Sequence, residues 1–188
     1  AGIRWEWESF PEYLDALDAM PRAIDVGAQL AHGALRAYVM GDRGARNAPA
    51  PPDDVAQMAA LAGEAMEAGA MGFSTNRTTV HIAIDGEQVP GTFAEEDELL
   101  PICRAVARSG SGVVEVVPSG VVGENVAAPD REIALLHHLS VETGCRVTFL
   151  LGQHNAAPDQ WRNTLRAADE ANAAGAHLVP QVFGRPTG

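Results

Sequence analysis

Lysine is absent from this chain, and all 13 of its basic residues are arginine. That excludes a Schiff-base lysine, a Walker lysine and a carbamylated-lysine metal bridge within these residues. Positive charge is short overall: 13 basic against 25 acidic side chains leave a formal charge of -12 and a pI near 4.8. A surface that negative is not drawn to nucleic acid or to anionic membrane, so neither is expected as a partner. Cysteine is scarce. Cys103 and Cys145 are too few for a disulfide framework, which makes a reducing cytoplasm the expected compartment and leaves both thiols with packing roles. No apolar run approaches the ~18 residues that span a bilayer, and no charged-then-apolar leader opens the chain. H-E-x-x-H, C-x-x-C and the G-x-S-x-G elbow are missing too.

What is present describes a globular α/β protein. Of the 188 residues 46% are apolar, too many for a disordered tail and enough for one core. Helix and strand patterns alternate. Ser9-x-x-Glu12 is a capping box that opens a helix through about Met20, and Ile24–Leu30 suits a buried strand. Asp53 is placed to cap a helix that Gly69 ends, with Met58, Leu61 and Ala65 on one stripe. Ala70–Ser74 is the second strand, followed by a long loop to Thr92. Thr92-x-x-Glu95 reads as a second capping box, and Glu95, Glu96, Asp97 and Glu98 complement the positive helix end, a structural role. Gly112–Val117, Arg146–Leu151 and His177–Phe183 are the remaining strands, separated by helices over Asp130–Thr143 and Asp159–Ala174. Near-continuous apolar strands are expected of a parallel sheet buried on both faces.

Five βα units fit an open doubly wound sheet or part of an eight-stranded barrel. The turn after the first strand, Leu30-Ala-His-Gly-Ala-Leu-Arg36, lacks the G-x-G-x-x-G phosphate loop of the open sheet. A complete barrel takes about 250 residues. The chain starts at Ala1 rather than methionine, and Val179–Gly188 runs from a strand straight into a loop. The expectation is therefore a single α/β domain over residues 1–188 that forms a partial (β/α)₈ TIM-type barrel of about five strands, an internal piece of a longer chain.

Chemistry collects where parallel strands end. The first strand delivers His32 and Arg36, the second Ser74, Thr75, Asn76 and Arg77. The third contains Glu115, the fourth exits through Gln153 and His154, and the fifth through Gln181 and Arg185. His32 is placed to be a metal ligand, a general base or a donor to substrate, or else to satisfy backbone groups at a helix start. Arg36, Arg77 and Arg185 could grip a carboxylate or serve as structural ion-pair partners; together they point to a small anionic substrate. Glu115 interrupts an apolar strand and needs a partner, an arginine inside the barrel being the structural option. His81 falls in a loop and His137 and His138 on a helix, where solvated or packing roles are expected. Spacing alone specifies no reaction.

Several phrases, in order, resemble the D-aminoacylase/N-acyl-D-amino-acid deacylase family of the amidohydrolase superfamily. They are Trp5-Glu-Trp-Glu-Ser-Phe-Pro-Glu-Tyr-Leu-Asp-Ala-Leu17, Ala31-His-Gly-Ala-Leu-Arg-Ala-Tyr-Val-Met-Gly41, Glu67-Ala-Gly-Ala-Met-Gly-Phe-Ser-Thr75 and Val89-Pro-Gly-Thr92. The resemblance implies a bacterial-type (β/α)₈ barrel hydrolase, dependent on zinc or another divalent metal, that cleaves non-peptide amide bonds of N-acyl-D-amino acids. This chain would supply roughly strands three to seven of it. The family's first-strand H-x-H, second-strand cysteine ligand and last-strand aspartate would lie elsewhere. His32 matches the third-strand G-H-G-like turn, and Ser74-Thr75 the serine-rich exit of strand four. Two ligand positions depart: Val114-Glu-Val-Val-Pro118 stands where the family has T-H-M-R, and Phe149-Leu-Leu-Gly-Gln153 where it has I-S-H-H-K. The family's substrate-binding tyrosine is replaced around Thr78 and Thr79. No complete metal site is expected within this segment, with Glu115, Gln153 and His154 as the nearest substitutes. The alternative is a non-catalytic, barrel-derived binding or structural module whose open strand edges pair with another copy, a homo-oligomer.

Overall fold

The computed structural model describes residues 5–182 and 184. Its elements run α1 (Phe10–Asp18), β1 (Gln29–Ala31), α2 (His32–Met40), α3 (Asp42–Ala45), α4 (Pro52–Glu67), β2 (Gly72–Asn76), α5 (Glu96–Ala107), β3 (Val113–Val117), α6 (Ala128–Thr143), β4 (Arg146–Leu150), α7 (Gln160–Ala173) and β5 (Leu178–Gln181). All neighbouring strands are parallel, in the spatial order β1-β2-β3-β4-β5. That order decides between the two architectures. Right-handed crossovers that always step the same way put every helix on one face of the sheet, as in a barrel wall, whereas a doubly wound sheet reverses direction part way.

The register shows which side chains face which way. Leu30, Phe73, Val114, Val147 and Leu178 lie side by side and are all buried. They pack against Met58, Ala62 and Ala65 of α4, Leu99, Ile102 and Val106 of α5, and Leu136 and Leu139 of α6. Burying each large side chain of this layer contributes about 1.5–3 kcal/mol. One residue along, the row Ala31, Ser74, Glu115, Thr148 and Val179 belongs to the opposite face, where Ala31 and Val179 are exposed. This second face is the concave, inner side of the wall.

Local signals account for most element ends. The Ser9 capping box is present: Ser9 Oγ accepts from the Glu12 N–H, and Glu12 Oε2 accepts from the Ser9 N–H at 2.9 Å. Gly144, at φ +74°, closes α6 in the left-handed conformation that glycine adopts without steric cost. Elsewhere the expectations need correction. The first strand begins at Gln29, because Ile24 and Val26 are exposed rather than packed. Asp53 does not cap α4; Pro52 occupies the first turn, where its missing N–H is no loss, and Asp53 follows it. The Thr92 capping box does not form. Thr92 Oγ1 donates to the Val89 carbonyl and accepts from Asn76, so α5 starts at Glu96 without a side-chain cap. The fifth strand stops at Gln181; Phe183, placed in it by sequence, lies outside the described residues.

Candidate functional site

His32 is the first residue of α2 and turns to the helix side of the sheet, in the layer of Thr75. It is 1% exposed. Nε2 lies 2.7 Å from Glu98 Oε1, and Nδ1 lies 2.9 Å from Thr75 Oγ1. An ionised carboxylate only accepts, so Nε2 carries the proton and Nδ1 accepts from the threonine hydroxyl. Arg36, one turn along α2, donates through Nη1 to both oxygens of Glu98 and through Nη2 to the Ala48 carbonyl. Its Nε is buried without a hydrogen-bond partner. His32, Arg36, Thr75 and Glu98 thus form one buried polar cluster joining α2, β2 and α5. Phe73 packs on the imidazole at 5.1 Å between ring centroids. Gly91, at φ +95°, closes the other side: a Cβ there would fall 2.7 Å from His32 Nδ1. Asn47 holds that loop down, accepting from the Gly91 N–H at 2.8 Å and donating to the Gln88 and Val89 carbonyls.

Electrostatics follow from this burial. Desolvation lowers the His32 pKa, outweighing the Glu98 carboxylate that favours the imidazolium. Burial pushes the Glu98 carboxyl up, but the bonds from His32 and Arg36 overcome it and hold the group below the ordinary range. Both groups therefore bind fewer protons folded than unfolded as pH falls. Stability is complete above the ordinary histidine value of 6.5, declines below it, and declines again as the solution passes below the ordinary carboxylate value of 4.5. Thermal unfolding of the protein at pH 7.5 and 5.5 is expected to show a lower midpoint at the acid value. His32→Gln should shrink that difference; an equal drop in both proteins would remove His32 as its source.

The strand ends at the other side of the wall are tied by loops. Asn76, last in β2, donates to the Thr78 carbonyl and to Thr92 Oγ1, and its Oδ1 is buried without a hydrogen-bond partner. Arg77 pairs with Glu132 of α6 at 2.8 Å and donates to the Ala94 carbonyl. Glu124 accepts from the Thr78 hydroxyl and from the Gly120 and Val122 N–H groups, binding the β2 and β3 exits together. Burial raises the Glu124 pKa, yet the Thr78 and backbone donors bring it below the usual carboxylate value. In the β4 exit, His154 Nδ1 accepts from the Ala157 N–H, so Nε2 donates to Gln160 Oε1 at 3.0 Å; Gln160 then donates to the Val126 carbonyl. Gly123, at φ +91°, lies against this ring as Gly91 lies against the other, with room for no Cβ.

The residues singled out by sequence therefore separate. His32 and Arg36 belong to the helix-side cluster, Arg77 is engaged by Glu132 of α6 and the Ala94 carbonyl, and His154 by the Ala157 N–H and Gln160 at the start of α7. Ser74 and Glu115 are on the inner face, and Gln153 is exposed with its amide donating to the Pro158 carbonyl. Glu115 is bonded by Gln29 Nε2 at 2.9 Å, not by an arginine. Arg185 lies outside the described residues. Among the described residues no three His, Cys, Asp or Glu side chains meet in a group that could hold a metal ion. Sequence reasoning placed Glu98 only in the charge run at the start of a helix and passed over Glu132. Glu98 shares a helix face with Ile102 and Ala105, and Glu132 with Leu136 and Leu139, all buried; that 3.6-residue spacing was the available signal.

The profile of the amidohydrolase family matches residues 1–185. D-aminoacylase of Alcaligenes xylosoxydans xylosoxydans is 34% identical over 109 residues, 58% of this chain and 20% of that protein. N-acyl-D-glutamate deacylase of the same organism is 30% identical over 177 residues, 93% of this chain and 33% of that protein. Among solved structures, N-acyl-D-glutamate deacylase from Bordetella bronchiseptica, complexed with zinc and a phosphonate inhibitor that mimics the tetrahedral intermediate, superposes with a TM-score of 0.76. It shares 24% identity, and the match covers 95% of this chain and 34% of that one. The chain thus spans a fifth to a third of the length of these relatives. With the family profile running through all five parallel strands of the wall, this chain belongs to the amidohydrolase family.

Proposed function

We propose that this chain is the strand-three-to-seven arc of a barrel enzyme that hydrolyses the amide of an N-acyl-D-amino acid. The observation that carries the reading is the alignment of 93% of the chain with an N-acyl-D-glutamate deacylase, together with the single-direction strand order of a barrel wall. In this reading Ser74, Glu115 and Gln153 contribute the inner face and rim against which a small anionic substrate lies, while His32, Arg36, Arg77 and His154 hold the wall and its loops in shape. A cytoplasmic location agrees with the two free thiols.

The related structure holds zinc. The residues described here do not fit such a metal: both nitrogens of His32 and of His154 are committed to hydrogen bonds, and the ends of β3 and β4 offer Val117 and Leu150. No chemical step is assigned to a metal held by these residues, and a hydrolytic metal and base would have to come from other parts of the protein. The same observation favours a second reading, a barrel-derived module that does not hydrolyse and whose open strand edges pair two copies.

The test uses the full-length gene product, supplied with zinc, cobalt or manganese, and N-acetyl-D-glutamate, N-acetyl-D-aspartate and N-acetyl-D-leucine with their L-enantiomers. Release of free amine from D-substrates only, retained when the acyl group is varied, supports the deacylase. A folded, metal-supplied protein that releases none while calorimetry detects substrate binding would establish the non-hydrolytic reading.

A further inference from the structure

Glu115 is the one charged side chain in the middle row of the inner face, flanked by Ala31, Ser74, Thr148 and Val179. It sits two residues before the end of β3 at Val117, about 6–7 Å below the mouth of the wall. Gln29 Nε2 reaches it from β1 across β2, where Gly72 carries no side chain, and holds Oε2 at 2.9 Å. The hydroxyl of its neighbour Thr148 is committed elsewhere, donating to the Val179 carbonyl at 3.0 Å. Oε1 accepts from none of the described residues. The chain has no lysine, and its arginines leave Glu115 alone: Arg36 and Arg77 are engaged by Glu98 and Glu132. Arg146, one row nearer the base of the wall, forms no ion pair among the described residues.

The interior of a closed barrel is packed with side chains, and a carboxylate held there needs a positive group to pair with it. From this placement we infer that Glu115 is the specificity-determining residue of the inner wall, selecting an N-acyl-D-amino acid whose side chain carries a positive charge, of the lysine or arginine type. The inference deepens the deacylase reading and rests on it for where the substrate lies, with its scissile amide at the mouth. A side chain pointing down the wall from there reaches the depth of Glu115 when it is as long as an extended lysine or arginine. Its ammonium or guanidinium then meets Oε1, while Gln29 keeps the carboxylate from turning away. An aspartate or glutamate side chain in the same place would set like charges together away from water, and a leucine side chain would leave the carboxylate unpaired. Glu115 thus answers the side chain of the substrate and leaves its α-carboxylate to other groups.

The test uses the full-length gene product supplied with zinc, and compares N-acetyl-D-arginine with N-acetyl-D-citrulline, which differ in charge at nearly constant shape. Turnover and calorimetric binding are both read, since binding needs no hydrolysis. The unmutated protein is expected to favour the arginine derivative by about tenfold in kcat/KM or Kd, the scale of one close charge pair. Glu115→Gln keeps an oxygen for Gln29 and removes only the charge, so that preference should fall to near one. Binding that favours arginine and loses its preference in Glu115→Gln, with no turnover of any substrate, would sink the deacylase reading and leave the role of Glu115 standing. Turnover of D-substrates with no preference for arginine over citrulline would do the reverse. Neither binding nor turnover of either compound would remove both. A Glu115→Gln protein with an unchanged preference and a lowered thermal midpoint would also overturn the inference, because the carboxylate would then be paired with a cation of the protein itself.

Discussion

Glu98→Leu is expected to cost about 3–5 kcal/mol of folding stability, because it leaves the Arg36 guanidinium buried with no counter-charge. Arg36 is 2% exposed and its fork is already incompletely satisfied, with Nε lacking a hydrogen-bond partner. Removing Glu98 takes away two of its contacts and also the acceptor of the His32 Nε2 proton. Domains of this size are stable by only about 5–15 kcal/mol, so the loss approaches the whole margin. Replacing both charges, Arg36→Met with Glu98→Leu, should recover part of it, since an apolar pair of similar volume needs no ionic partner. Urea unfolding of the three proteins measures both effects. A Glu98→Leu protein within about 0.5 kcal/mol of the unmutated one would mean the cluster does not hold α2 to α5.

Gly72→Ala is expected to be comparably severe for a different reason. Gly72 begins β2 at φ +154°, and a Cβ there would fall 1.9 Å from the Val113 carbonyl oxygen of β3. The obstacle is backbone in the adjoining strand, not a flexible side chain, so relief requires the β2–β3 pair to separate where its register starts. Strain at such a backbone position and overpacking each cost about 1–3 kcal/mol, for a total of about 2–6 kcal/mol. Loss of soluble protein on expression, or a strongly lowered urea midpoint, is the expected outcome. An alanine variant with unmutated stability would show that the strand shifts at little cost. Gly69, which has open space around it, is the control position, where only its φ of +108° resists substitution.

The sequence made the arrangement of the wall legible because apolar runs and glycine stops report directly on buried strands and helix ends. Phe73, Val114, Val147 and Leu178 were all inside predicted strands, and the missing phosphate loop after Leu30 pointed away from the doubly wound sheet. Boundaries were less legible where two local signals competed. Thr92 could cap a helix, but the Val89 carbonyl and Asn76 are nearer partners once the loop folds back. The site was legible only as positions. His32 was found at a strand end, yet whether its ring turns inward or toward the helices depends on the parity of one residue, and the strand that sets it is just three residues long. Its partner Glu98 stands 66 residues away, a distance at which no local pattern operates. Sequence located the histidine but not the carboxylate that occupies it.

The glycine pressed against His32 has a thermodynamic consequence. Gly91 and the loop around it seal the imidazole from water, and Asn47 fastens that seal from outside the loop. Burial lowers the His32 pKa, so any state that exposes the ring to water takes up a proton more readily than the closed one. In such an exposed state the proton behaves as a ligand. Below the ordinary histidine value each unit of acidification favours any state that exposes the ring by up to about tenfold.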